Sequence, residues 1–197
     1  MSKLETNTID NISGSSTLNI GDTNATSVTI DSGVSTFTIP NGAATGQNYP
    51  AFFASLSADQ TGLTSGSTTK VQFNTEAFDT DNIYDNSTNY RITIPSGKEG
   101  KYYIEASVLV DSLAVSNFNR GLVYLYKNGS SYIESFQDFR NNPPQKNNIQ
   151  ISAMMDLAVG DYIEIFTYSE SVNSGNLQIR GDALEIETWF QGFRIGA

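Results

Sequence analysis

Carboxylates are the main candidates for chemistry in this sequence, because the chain contains no histidine and no cysteine. Histidine is the commonest general base, and cysteine serves as nucleophile and zinc ligand. Serine–histidine catalysis, cysteine–histidine catalysis and a cysteine zinc site are therefore excluded within the chain. Two short segments, "FDTDNIYD" and "RGDALEIETW", concentrate acidic side chains: Asp79, Asp81 and Asp85 in the first, and Asp182, Glu185 and Glu187 in the second.

Two kinds of site could use these acids. A pair of carboxylates could serve a glycosidase, and several oxygen ligands in one loop could hold calcium. Neighbouring acids are nevertheless common in a chain with 21 acidic residues, and Glu-x-Glu is also typical of the wet face of a strand. We therefore expect no enzyme and no cofactor, with calcium at the second segment as the one metal hypothesis.

The charge balance excludes several partners. Lys and Arg total 11 against 21 acidic residues, giving a net charge of −10, whereas nucleic-acid binding needs a basic surface. No apolar run is long enough to cross a bilayer, so we expect no membrane insertion. The N-terminus shows no apolar leader, which predicts synthesis in the cytoplasm.

The composition changes near residues 43–50. Residues 1–48 are rich in Ser, Thr, Asn, Asp and Gly and hold one aromatic residue, Phe37, whereas aromatics are dense from Tyr49 onward. The sequence thus predicts an attachment segment at 1–16, a β-repeat shaft at 17–48 and a head domain at 49–197.

Three short triplets repeat within residues 17–42. Each has the form apolar–polar–Ile and precedes a turn former, at spacings of ten and nine residues. Strands this short cannot close a core within one chain, but stacked copies from three chains can. The pattern is similar to β-structured fibre shafts of bacteriophages and large DNA viruses; the alternative is a disordered polar tail. In a shaft, six side chains would face the three-fold axis: Leu18, Ile20, Val28, Ile30, Phe37 and Ile39.

The second region alternates apolar and polar residues with period two. Segments 101–110, 149–157 and 161–168 show this pattern, and Asn128-Gly129 is a strong hairpin signal. Roughly nine or ten short strands with one wet face predict an all-β sandwich.

Six segments of this region carry a resemblance to a known family. They are "FFASLS" at 52–57, "VQFN" at 71–74, "YDNSTNYRITIPSGKEGKYYIEA" at 84–106, "YLYKNG" at 124–129, "LAVGDYIEI" at 157–165 and "FQGFRI" at 190–195. In this order they resemble the globular head of the complement C1q family, which shares a jelly roll with tumour necrosis factor. Ile92 or Ile94 stands where that family usually has an aromatic, Ile104 replaces a Phe, and the collagen stalk is missing.

The resemblance implies a non-enzymatic, trimeric jelly-roll β-sandwich of tumour necrosis factor type. Some heads of the family bind calcium through acids just before the last strand, where Glu185 and Glu187 lie with Asp182 beside them. The remaining aromatics would form core and trimer contacts. We expect two mixed strand faces at the trimer interface: Tyr103 with Glu105, and Tyr162, Glu164, Phe166 and Tyr168.

Strand parity predicts which loops share an end of the head. If the chain begins its head at the base near Pro50 and the last strand returns there, loops 112–118, 140–148 and 169–187 lie at the opposite end. Long loops on a rigid scaffold usually carry recognition. We expect a receptor-facing surface there, with three cations: Arg140, Lys146 and Arg180.

These observations favour a homotrimeric fibre or spike protein of a virus, located in the virion. Its N-terminus would attach to other virion proteins, and its head would bind a glycan or protein of the host surface. Two alternatives remain: a cellular or secreted C1q-like trimeric lectin or binding module, and a carboxylate hydrolase.

Overall fold

The computed structural model of the chain describes residues 50–196. The predictions for the attachment segment and the shaft, including the six axial side chains, lie outside these described residues. Within residues 50–196, no helix is long and apolar enough to cross a membrane.

Thirteen β-strands make up this part of the chain. They are β1 (Ala51–Ser55), β2 (Ala58–Leu63), β3 (Ser67–Lys70), β4 (Thr75–Asp79), β5 (Tyr84–Asp85), β6 (Arg91–Thr93), β7 (Gly100–Asp111), β8 (Phe118–Lys127), β9 (Ser130–Asp138), β10 (Lys146–Leu157), β11 (Tyr162–Ser171), β12 (Leu177–Asp182) and β13 (Trp189–Gly196).

The strands form two antiparallel sheets. In sheet A, β7 pairs with β10 along one edge, and with both β12 and β13 along the other edge. Beyond β13 the sheet adds β1 and then β4, and beyond β12 it adds β2. In sheet B, the order is β9–β8–β11, with β3 and β6 sharing the far edge of β11 and β5 beside β6. This confirms the predicted all-β sandwich.

The core lies between the sheets and follows the predicted period of two. Side chains at alternate positions of β7, from Tyr102 to Val110, are fully buried. Phe190 of β13 contacts three other rings, with centroids 4.8 Å from Phe52, 5.5 Å from Phe73 and 5.9 Å from Tyr84. The Tyr84 hydroxyl donates to the Phe73 carbonyl at 2.9 Å, which satisfies the one polar atom of that ring.

The segment "VQFN" resembles a strand of the C1q family, but it is not a strand in this chain. Val71–Asn74 lies between β3 in sheet B and β4 in sheet A, so it crosses from one sheet to the other. Val71 donates its N–H to the Ile165 carbonyl at 2.9 Å, and Val71 and Phe73 are fully buried. The apolar pattern thus reports burial in the core, and not membership of a sheet.

The two ends of the sandwich differ as strand parity predicts. We call the end with loops 112–117, 139–145 and 172–176 the upper end, and the end with turns 128–129 and 158–161 the lower end. The lower turns are tight, with left-handed backbone at Asn128 (φ 53°) and Gly160 (φ 83°). Pro50 also lies at the lower end, where its carbonyl accepts the Arg194 N–H at 2.9 Å.

Candidate interaction surfaces

The outer face of sheet A carries apolar side chains at its centre. Phe193 of β13 lies opposite Tyr103 of β7, with ring centroids 5.7 Å apart, and Tyr103 lies opposite Met154 of β10. Phe193 is 49% exposed and Met154 is 71% exposed. An apolar row therefore crosses three adjacent strands and faces away from the core.

A second aromatic group adjoins this row. Phe53 of β1 lies 6.1 Å from Trp189 and 6.4 Å from Phe78, measured between ring centroids. We call the whole surface the assembly face; its apolar side chains are Phe53, Phe78, Tyr103, Met154, Trp189, Phe193 and Ile195. Contiguous exposed apolar surface of this kind marks interaction sites in proteins.

The predicted interface residues of β11 lie on the opposite side of the sandwich, on the outer face of sheet B. Each ring there has a cation of its own chain above it: Arg91 lies 4.0 Å from Tyr162, Lys70 5.5 Å from Phe166 and Arg120 5.6 Å from Tyr168. Cation–π contacts stabilise such rings in solvent. The aromatic–acidic mixture that suggested a subunit contact thus has partners within the chain.

Glu164 belongs to the same arrangement. Its side chain is 7% exposed and accepts from the Lys70 ammonium at 2.5 Å. The two predicted interface groups, Tyr103 with Glu105 and Tyr162 with its neighbours, therefore lie on outer faces of different sheets. Across the residues that the structure describes, the cation–π contacts all belong to sheet B, and the assembly face has none.

Most residues of the assembly face were not predicted from the sequence. The signal that could have found it is in β13, "WFQGFRIG", where Phe190 is buried between the sheets while Trp189, Phe193 and Ile195 face outward. A strand with apolar residues on both faces is typical of a strand covered on both sides. Residues 50–196 cover only one of those sides.

The three loops of the upper end meet at Asn117, which is 5% exposed. Its N–H donates to the Pro144 carbonyl at 3.1 Å, and its carbonyl accepts the Val172 N–H at 2.9 Å. Its side-chain amide donates to the Ser112 carbonyl at 3.0 Å and accepts the Asn173 N–H at 3.1 Å. One side chain thus joins loops 112–117 and 172–176, and its backbone joins both to 139–145.

Replacement of Asn117 by alanine should destabilise the upper end. Both side-chain hydrogen bonds would be lost, and the buried Ser112 carbonyl would lose this donor, which costs about 1–3 kcal/mol. Urea unfolding should show this loss, and amide exchange should accelerate at Ser112–Asn117 and at Asn173. The control is Asn141→Ala, which removes an exposed amide at the same end. Equal exchange rates in both variants would contradict the role of Asn117.

The loops also carry exposed apolar and strained residues. Leu113 is 55% exposed and Val115 is 79% exposed. Leu113 (φ 62°), Ser116 (φ 54°) and Ser174 (φ 55°) all adopt the left-handed region without being glycine. Such conformations cost energy and concentrate at functional sites.

The three predicted receptor-facing cations do not share one surface. Arg140 is exposed in loop 139–145 and pairs with Asp138 at 2.5 Å, and Lys146 is exposed at the start of β10. Arg180 does not lie in a loop: residues 169–187 contain β12, so the prediction of one long loop there is wrong. Only 172–176 of that range lies at the upper end.

Arg180 has partners that hold it against the strands. Its guanidinium contacts Asp59 at 2.8 Å and Glu187 at 3.3 Å. Gly181 packs so closely that a Cβ there would lie 2.5 Å from the Ala58 carbonyl oxygen. Arg180 and Gly181 are therefore held within the packed strand β12.

The acids proposed as calcium ligands are also separated in their contacts. Asp182 accepts the N–H groups of Leu184 and Glu185 at 2.7 and 3.1 Å, and these bonds lower the pKa of its carboxyl. Glu187 pairs with Arg180. Within residues 50–196, no group of three or more acidic side chains is placed to hold a metal ion. Residues 50–196 of one chain therefore do not bring the carboxylates of Asp182, Glu185 and Glu187 together.

The three acids of the first segment have structural partners. Asp79 accepts the Tyr84 N–H at 2.7 Å, and Asp81 pairs with Lys98 at 2.7 Å. Asp85 accepts N–H groups of residues 87–89, which lower the pKa of its carboxyl. These contacts close the turns around β5.

Stability should fall in acid because several carboxylates are hydrogen-bonded in the folded state. Hydrogen bonds from Asn128 and Lys127 lower the pKa of Asp161 to about 2, and those from Arg140 lower the pKa of Asp138 to about 2. An unfolded aspartate titrates near 3.9. The folded state therefore binds fewer protons, and its stabilisation is present above pH ~4 and lost as the pH falls toward 2.

Melting temperatures measured from about pH 5 down to about pH 2 test this dependence of stability on pH. The variant Asp161→Asn should melt lower at neutral pH and should lose less between pH ~4 and ~2 than the unaltered protein. The control is Glu185→Gln, since Glu185 is exposed and its carboxylate has no hydrogen bond among residues 50–196. If Asp161→Asn lost as much melting temperature in acid as the unaltered protein, Asp161 would not contribute to the acid sensitivity.

The comparisons with known proteins concern the fold. Neither a protein-family model nor a curated protein matches the sequence. Among solved structures, the globular domain of zebrafish complement 1qA is similar, at 17% identity and a TM-score of 0.52, over 75% of this chain and 98% of that one. Murine APRIL at pH 5.0 matches at 10% identity and a TM-score of 0.51, over 75% and 100%.

A third similar structure is Eiger TNF from S. frugiperda, at 9% identity and a TM-score of 0.53, over 75% of this chain and 93% of that one. Likeness at these identities shows the fold alone. The head of this chain is thus an all-β sandwich of two antiparallel sheets, with the jelly-roll architecture of C1q globular domains and tumour necrosis factor ligands.

Proposed function

We propose that the chain is a non-enzymatic binding module that assembles with two further copies of itself through the assembly face. The observation that carries this proposal is the apolar row Phe193–Tyr103–Met154 at the centre of sheet A. β13 lies between β7 and β1, so a partner on this face would cover the middle of the sheet. Permanent interfaces have apolar centres of this kind.

The number of copies follows from the resemblance to C1q and tumour necrosis factor heads. A three-fold ring needs two different contact surfaces on each subunit, because its interfaces are heterologous. The assembly face is one of them, and the edge strand β10 adjoins it through Met154. On sheet B, the rings of Tyr162, Phe166 and Tyr168 already have cationic partners.

The proposed recognition surface is the upper end. It combines the exposed Leu113 and Val115 with Arg140 and Lys146, and Asn117 holds its loops together. Variable loops on a rigid sandwich commonly carry recognition.

Within this function, we propose a viral setting, in which the head belongs to a fibre or spike attached through residues 1–16. The motivation is the repeat of apolar triplets in residues 17–42. The alternative, a cellular or secreted lectin-like module, has the same head and differs in what the N-terminal residues do. Calcium shared between copies near residues 182–187 also remains a proposal.

Light scattering on the full chain tests the assembly. We expect a mass of about 64 kDa, three times the 21.4 kDa of one chain, at micromolar concentration. A mass of one chain would contradict the proposal, and a mass of two would contradict its stoichiometry. Mass spectrometry of purified particles from the source organism would then separate the viral setting, which requires the protein in the particle, from the secreted module.

A further inference from the structure

The outer face of sheet B contains a groove formed by three strands. Strand register places Tyr168 of β11, Leu122 of β8 and Phe136 of β9 in one cross-strand row. Leu122 in the middle is half-buried, while Phe136 is 51% exposed. Because the two outer positions are two strand spacings apart, roughly 10 Å, the rings flank a channel above Leu122, with a volume of about 400 Å³.

Polar residues close the two ends of this groove. Arg120 lies at one end, where its guanidinium contacts Glu170 at 2.5 Å and the Tyr168 hydroxyl at 3.4 Å. Tyr124 of β8 lies at the other end, opposite Glu134 of β9. The four-residue separation of Arg120 and Tyr124 along β8 corresponds to roughly 13 Å. The groove therefore has room for one or two six-membered rings.

Three polar groups lining the groove lack hydrogen-bond partners among residues 50–196. Arg120 Nε is buried and makes no hydrogen bond. The Tyr124 hydroxyl and the exposed Glu134 carboxylate also make no hydrogen bond. Burial is the main cause that raises the pKa of Tyr124, and the nearby negative charge of Glu134 adds to it. Arg120 Nε is shielded from solvent, so the Tyr124 hydroxyl and the Glu134 carboxylate are the groups that a ligand above the apolar floor could reach, an arrangement typical of small-molecule sites.

The charges decide among ligand classes. An anionic ligand would meet Glu134 at one end and Glu170 at the other, and the chain has a net charge of −10. A cationic ligand would meet the guanidinium of Arg120. A neutral polyhydroxyl ligand is repelled by neither the acidic groups nor the guanidinium, and its hydroxyl groups can both donate and accept hydrogen bonds. The C–H face of a sugar ring can also pack on Tyr124, Phe136 or Tyr168.

We propose that this saccharide groove, lined by Arg120, Leu122, Tyr124, Glu134, Phe136 and Tyr168, binds a neutral saccharide of one or two residues. The site goes beyond the proposed function, since it lies on sheet B, away from both the assembly face and the upper end. It is complete within one chain, so it does not depend on the number of copies that assemble.

The test uses the full-length protein and defined probes. Methyl glycosides of glucose, galactose, mannose and N-acetylglucosamine are titrated at millimolar concentration by saturation-transfer difference NMR. A printed array of neutral, sialylated and sulfated oligosaccharides then compares ligand classes. We expect saturation of sugar C–H protons in at least one neutral glycoside, and array binding confined to neutral oligosaccharides.

Matched variants locate the site. Tyr124→Ala and Phe136→Ala each remove a ring from the groove and should weaken binding at least about fivefold, the equivalent of about 1 kcal/mol. Glu134→Gln should also weaken it, with the fold unchanged. The control is Tyr132→Ala, which removes a 53% exposed ring of β9 outside the groove and should leave binding unchanged.

Four outcomes would overturn the proposal. These are the absence of binding by all neutral probes, equal binding by Tyr124→Ala and the unaltered protein, loss of binding only in the Tyr132→Ala control, and array binding restricted to charged oligosaccharides. The mass measured by light scattering is independent of all four, so failure of this site and failure of the trimer proposal are distinguishable.

Discussion

The variant Phe193→Asp should fall to the mass of a single chain at micromolar concentration, where the unaltered protein is expected to be a trimer. Phe193 lies on the central strand of sheet A and contacts Tyr103 with ring centroids 5.7 Å apart. Burying an unpaired carboxylate at the centre of an apolar contact is strongly unfavourable. Truncating a central hot-spot residue alone costs 2 kcal/mol or more, and a trimer contains the substitution three times.

The matched control for this prediction is Phe136→Asp. Phe136 is 51% exposed and Phe193 is 49% exposed, but they lie on outer faces of different sheets. Light scattering and sedimentation velocity should show an intact trimer for Phe136→Asp. Dissociation by Phe136→Asp with an intact trimer for Phe193→Asp would place the subunit contact on sheet B, where the predicted interface residues Tyr162, Phe166 and Tyr168 lie. Far-ultraviolet circular dichroism should show both variants folded.

The variant Phe190→Ala should have the largest effect on the stability of the head. Phe190 is fully buried and contacts Phe52, Phe73 and Tyr84. Deleting a buried Phe side chain costs about 3–5 kcal/mol, because transfer energy is lost and a cavity remains. This is a large share of the 5–15 kcal/mol typical of a domain.

Urea unfolding followed by the fluorescence of Trp189 measures this loss. The midpoint should decrease strongly while the slope of free energy against urea concentration stays the same, since the exposed area on unfolding changes little. Phe136→Ala deletes an equally large ring from the surface and should stay within about 0.5 kcal/mol of the unaltered protein. A similar midpoint for both variants would contradict the aromatic cluster as the centre of the core.

The strands that alternate strictly could be predicted from the sequence, and those that do not could not. β7 and β11 bury every second residue, so their period of two fixed their position and their inward faces. β12 was missed because its alternation, Leu177 and Ile179 with Gln178 and Arg180, spans only four residues before Gly181. Val71 and Phe73 were assigned to a strand because a core segment between two sheets has the same apolar pattern as a strand.

The surfaces were harder to predict than the fold, since they depend on residues far apart in the chain. Lys70 covers Phe166 and pairs with Glu164, although 94 residues separate the ion pair in sequence. Without that contact, β11 alone looks like an unpaired amphipathic face. The assembly face likewise requires the register of β13 with β7, which places Phe193 against Tyr103 and which no local pattern contains.

The hydrogen bonds of Asn117 have a consequence for how recognition could diversify among related heads. In many loop-bearing scaffolds each loop can change length or composition alone, but here one asparagine contacts all three loops of the upper end. A deletion beside Pro144 would displace Asn117 and, through it, residues 172–173. New specificity should therefore arise through exchange of the three loops as a set. For the same reason, an engineer who grafts a foreign loop onto this head should transplant loops 112–117, 139–145 and 172–176 together.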